Sequence, residues 1–481
     1  MDSAMKTEAT GRPPQTPAPR EGARSRLLRR ILLGSLAGSL LLGGVLVLLP
    51  GETRPPAPGP LPGAQAHSAV RTGVAAALPD LAVLIEERET RLREHPRDFR
   101  SWAVLGAAYV EQGRRTADAS VFYPKAERAL RTSLRVRPKD NAEALVGLAT
   151  LANARRDFRA ARTWGEAART LAPKRWTAYP QLIDAYTGLG DHKKAQAALD
   201  RLTRLRSGPE VRARAAVVYW DRGWREDAAA ALSDAAAGAS SPAEEAQWRE
   251  RAGQLAWERG DREVALRLFR EAVRLDPDQR AAQIGQGRVL AALGRTAKAL
   301  SAYQVALDRQ PSPQYALELG ELYESLGMVR EARVQYDLLR QRVRQEAAGG
   351  VDGQLVLGRF EADHGDPAAA VRRLRAEWRR QPGIAVADAL GWALHRAGQD
   401  KEALKYAVIA TDKAHGGAVR SAPYAYHRGM IERGLKRYGP ARRHLQEALR
   451  INPYFSPLHA RTAREALAEL GEPAVTDPPE L

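Results

Sequence analysis

Cysteine is missing from all 481 residues. Its absence removes disulfides, thiolate nucleophiles and cysteine-ligated zinc from the chemistry open to this chain. It leaves the compartment open, because a cysteine-free chain suits either side of a membrane. Lysine is nearly as scarce: of 75 basic residues only 11 are lysine, so the formal charge of +18 is an arginine charge. Phenylalanine (6) and methionine (4) are few, and β-branched residues rarely cluster. What remains is alanine, leucine, arginine and glutamate, a composition that favours helix almost throughout. The length exceeds what one compact core usually needs. A strong positive charge can mark nucleic acid, anionic lipid or an acidic polymer as partner. Here the arginines are dispersed and interleaved with 57 acidic residues, as on solvated helix faces.

Catalytic signatures are also missing. The nine histidines are scattered, with no HExxH and no facing carboxylate pair, and there is no GxSxG. Gly349-Gly350-Val351-Asp352-Gly353 is glycine-dense but lacks the Lys-Ser/Thr of a phosphate loop. The expectation is a chain that is not an enzyme, with no cofactor and no metal.

Long apolar runs are absent except for one. Ile31 to Leu49 is 19 residues without a charge, about 28 Å as a helix, enough to cross a bilayer core. Arg20, Arg24, Arg26, Arg29 and Arg30 precede it, which predicts a cytoplasmic N-terminus and an extracytoplasmic remainder. Gly34 and Gly38 have the spacing of a helix-pairing motif. The alternative is a cleaved leader, for which Ala64-Gln65-Ala66 has the right form but lies about 15 residues past the run. On this reading residues 1–30 are a disordered basic tail and 31–49 a transmembrane helix. Residues 50–79 are a Pro/Gly/Ala-rich spacer, 80–470 the folded region and 471–481 a disordered tail.

The folded region is periodic. Gly253, Gly260, Ala265, Phe269, Ala272 and Pro277 recur 34 residues later as Gly287, Gly294, Ala299, Tyr303, Ala306 and Pro311. A small residue lets one helix approach its partner, an aromatic fills the space between hairpins, and proline stops the second helix. Trp102, Leu105, Gly106 and Tyr109 stand in the spacing W-x2-L-G-x2-Y. These residues resemble the tetratricopeptide repeat (TPR), an antiparallel helix pair of that period. Related sets continue to Pro453, about ten units between residues 99 and 455. The first has its second helix displaced, which predicts an enlarged loop within Gln112–Lys125. The helical stretch from Asp80 reads as a lone capping helix, Ser456–Leu470 as its C-terminal counterpart, and Ala235–Ser241 and Ala347–Gly350 as flexible breaks. The resemblance implies an all-α, right-handed α-solenoid preceded by the transmembrane helix and linker.

It also implies function. Solenoids of this kind work by the concave face, and the register places Trp220, Trp257, Trp392, Tyr426 and Met430 on it as anchors. Arg288, Arg359 and Arg396 share that face with Asp221, Glu250, Glu321 and Asp388. The mixed charge favours a protein or peptide ligand over a uniform polyanion, and nucleic acid is not expected. The carboxylate clamp of one TPR subclass is not carried over, because the corresponding positions hold Ala103, Val146, Pro180 and Ala213. Leu92 through Tyr109 is similar to membrane-anchored TPR proteins that assist cytochrome c assembly. The expectation is a membrane-anchored scaffold in an extracytoplasmic assembly or biogenesis process. The alternative is a basic surface protein that holds an anionic envelope polymer or lipid.

Overall fold

In the computed structural model, residues 61–413 and 418–471 are described; they hold twenty-three α-helices and no strand. Local chemistry sets the helix starts. The side chains of Asp98, Asn141, Asp157, Asp191 and Ser241 each accept a first-turn backbone N–H. Pro209, Pro313 and Pro367 open others, where a missing N–H costs nothing. Consecutive helices pair as hairpins, and ten of these span Phe99 to Ile451, matching the repeat count in the sequence.

The repeat residues do what their sizes require. Phe269 is fully buried, and a Cβ on Gly253 would stand only 2.8 Å from its ring. Gly287 meets the Tyr303 ring in the same way, at 2.7 Å. Glycine serves here for close approach between helices, and the aromatic takes the volume it frees.

The N-terminal part departs from expectation. Helices α1 (Pro62–Thr72) and α2 (Leu78–Glu94) form one more hairpin ahead of α3 (Phe99–Thr116). The helix from Leu78 therefore has a partner, and much of the expected spacer is folded. Val74, Ala75 and Ala76, between α1 and α2, are 4%, 1% and 3% exposed. The Ala75 N–H donates to Gln247 Oε1 at 2.8 Å, and Ala66, Ala69 and Val74 pack with Ala213, Ala235 and Trp248. Small side chains look like a spacer in sequence; here they let the segment thread between hairpins.

The enlarged loop is also absent. Only Ala117 and Asp118 separate α3 from α4 (Ala119–Val136), and the extra residues lengthen both helices, with Pro124 inside α4.

The hairpins wind so tightly that successive turns touch. Arg155 Nε donates to the Gly349 carbonyl at 2.7 Å, and Asn452 Nδ2 donates to the Trp257 carbonyl at 2.7 Å, across 194 and 195 residues respectively. Arg225 reaches the Arg420 carbonyl across 195. The expected break at Ala347–Gly350 is one of these contacts: Gly349 lies against the Ala119 carbonyl. Ala235, in the other expected break, is fully buried.

The expected localisation is corrected. Among the described residues no helix is long and apolar enough to cross a membrane. Residues 1–30, 31–49 and 472–481, for which a tail, a span and a second tail were expected, lie outside the described residues. A single-pass membrane protein with an extracytoplasmic repeat region is therefore unsupported.

Candidate functional site

The turn-on-turn winding leaves hollow space lined from successive turns. One cavity of about 630 Å³ is bounded by Trp257, Glu258, Arg288, Glu318, Arg359 and the stretch Asn452–Pro457. A second, of about 550 Å³, is bounded by Thr187, His192, Trp220, Asp221, Ile384 and Tyr424. Glu258, Gln314, Arg359 and Ser421 line both, so the two are neighbours around a shared wall.

Repeat geometry explains which side chains converge. Trp220 and Glu258 close the first helices of adjacent hairpins, Pro209–Asp221 and Pro242–Glu258. The Trp220 indole N–H donates to Glu258 at 2.9 Å, and Gln254 Nε2 donates to the same carboxylate at 3.2 Å. Arg288, one hairpin on, donates to Glu318 at 2.8 Å and to Gln254 at 2.6 Å. Arg359 differs: half-buried and facing both cavities, it makes no ion pair or hydrogen bond among the described residues.

Three of the acids here, Asp221, Glu258 and Glu321, are held back from ionising. Burial lifts the Asp221 carboxyl to about 7, with the charges of Glu258 and Asp184 adding to the rise. Burial likewise raises Glu258, opposed by its bonds to Gln254 and Trp220. Glu321 is raised by burial, opposed by His364. A carboxyl that is partly protonated near neutrality, as Asp221 is, both donates and accepts hydrogen bonds, which suits polar backbone as a ligand.

The structure divides the eight expected anchors into two groups. Trp220, Trp257, Arg288 and Arg359 line the cavities, although Trp257 is only 5% exposed and part of the packing. Trp392 and Tyr426, 4% and 2% exposed, are buried in a separate aromatic cluster toward the C-terminal end and are not exposed anchors. There Trp392 stacks on His427 at 4.4 Å between centroids and donates to Asp363 at 2.9 Å. Arg396 lies by the Trp392 ring, and Met430 packs against the same cluster. Glu258, Gln254, Glu318, Gln314 and Tyr424 were not expected. Glu258 had a signal, standing next to Trp257 and one repeat beyond Trp220.

Three stretches, 117–175, 250–316 and 292–347, match the family model described as tetratricopeptide repeat. Those stretches are tetratricopeptide repeats. The repeats at 250–347 supply Trp257, Glu258, Arg288 and Glu318, most of one cavity wall. No curated protein matches the chain. Among solved structures, the chain is similar to human IFIT1, solved as a dimer with PPP-AAAA: 13% identity, 81% of this chain and 94% of that one, TM-score 0.44. A tetratricopeptide repeat protein from Parabacteroides merdae is 16% identical over 55% of this chain and 99% of its own, with TM-score 0.33. YrrB, described as a TPR protein with an unusual peptide-binding site, is 20% identical over 38% and 93%, with TM-score 0.26.

Proposed function

We propose that this chain is a non-catalytic scaffold that binds a segment of another protein in the cavities between its turns. TPR proteins generally mediate protein or peptide binding. The observation that carries the reading for this chain is the Arg359 guanidinium, without an ion pair or hydrogen bond among the described residues, set on the wall between two cavities where Trp220, Gln254, Glu258, Arg288 and Glu318 are bonded in a chain to one another. A cation left without a partner in a half-buried site is poised for a ligand group that supplies one. Trp220 adds a flat apolar face half open to the same space. The mixed charge of the walls gives no support to a polyanion as the occupant.

The test is to pan a displayed random-peptide library on the full chain and measure the selected peptide against two variants. Arg359→Ala and Trp220→Phe should each weaken binding by about tenfold with little change in the melting profile. Failure to enrich any peptide, or unchanged affinity in both variants, would refute the reading.

A further inference from the structure

Apart from those cavities, a hollow of about 730 Å³ opens between α1, α2, α3 and α5 (Ala142–Ala154). Arginine dominates its rim. Arg71 of α1, Arg88 of α2, Arg97 and Arg100 line it, and none makes an ion pair or hydrogen bond among the described residues. Arg100 does lie over the Phe99 ring, 5.6 Å from its centroid. The Nε of Arg88 is buried with no partner. Two more arginines of this hollow are already occupied: Arg91 holds Asp98 at 2.7 Å and Arg175 holds Glu143 at 2.5 Å. His67 reports the resulting field. Burial and the charges of Arg88 and Arg71 hold it below its ordinary 6.5, against the opposing pull of Glu87.

Four unpaired cations round one hollow repel one another, and a buried guanidinium N–H without an acceptor is costly. An anion relieves both. The guanidinium fork matches carboxylate or phosphate, and the two filled sites in this hollow show it gripping carboxylates. Val70, Val104 and Val146 add an apolar wall beside the charges, suited to a ligand that carries apolar side chains next to acids.

We propose that this hollow binds an acidic stretch of another polypeptide, with carboxylates on the unpaired arginines and an adjacent apolar side chain on the valine wall. The proposal rests on the reading of the chain as a polypeptide binder, but uses none of the residues of the cavities described above.

The test is to titrate the full chain with a fluorescent peptide of Glu, Asp and Leu, and with its Gln/Asn counterpart. The acidic peptide should bind and weaken with added salt, and the amide peptide should not bind. Arg71→Gln with Arg97→Gln, both exposed and unpaired, should weaken the acidic peptide by at least about tenfold. Trp220→Phe should leave it unchanged. Equal binding of the amide peptide, or unaltered affinity in the double variant, would overturn the assignment. Binding of inorganic pyrophosphate without the acidic peptide would overturn it too, by making this a phosphate site. If library-selected peptides need Arg359 while the acidic peptide fails to bind, only this inference falls.

Discussion

Asp221 is the residue whose protonation most directly connects the cavity to stability. Its folded value of about 7 stands above the ordinary 3.8. Across that window the folded chain keeps a proton that the unfolded chain has released, so this group makes stability fall as pH rises. Below 3.8 both states are protonated and the penalty vanishes. Asp221→Asn removes the dependence, so its stability relative to the parent should be higher at pH 8 than at pH 4.5. Denaturant unfolding at the two pH values measures this, and an equal difference at both would show that the carboxyl is not held back. Trp392 and Tyr426 teach a related lesson. Their position on the first helices of hairpins was readable, but not that His427 and His459 would stack on them and close the space.

At the scale of elements, the loops between hairpin helices carry the contacts between turns. Gly190 has φ +72°, and a Cβ there would stand 2.6 Å from the Pro382 carbonyl oxygen. Gly294 has nearly the same backbone, φ +71°, with nothing within 4 Å. Alanine at either costs about 1–2 kcal/mol in left-handed strain, and only at Gly190 must the next turn also move. Gly190→Ala should therefore destabilise more than Gly294→Ala in thermal unfolding, and equal losses would mean the turns are not stacked. The repeat itself was legible because Gly253, Phe269 and Pro277 recur with one period, and periodicity records contacts within and between neighbouring hairpins. It records nothing about Gly190 and Pro382, which are nearly 200 positions apart. The α1–α2 segment was misread for a similar reason: Val74-Ala75-Ala76 shows no amphipathic period, and its burial comes from hairpins far along the chain, such as the one bearing Trp248.

At the scale of the whole molecule, the described chain winds over itself so that its inner space is bounded from successive turns. An open groove offers a ligand one wall, whereas here Arg288 and Glu318 face Asn452–Pro457 across a cavity. Walls from two turns preorganise the site. Half of the expected anchors lie there, and the acids and amides that hold them were visible only once neighbouring hairpins were superposed in space. The most direct test is site-specific photocrosslinking in the full chain with the library-selected peptide. A photoreactive residue in place of Gln314, which lines both cavities, should crosslink to the peptide, while one in place of the exposed Arg330 should not. Crosslinking at 330 with none at 314 would contradict binding between the turns.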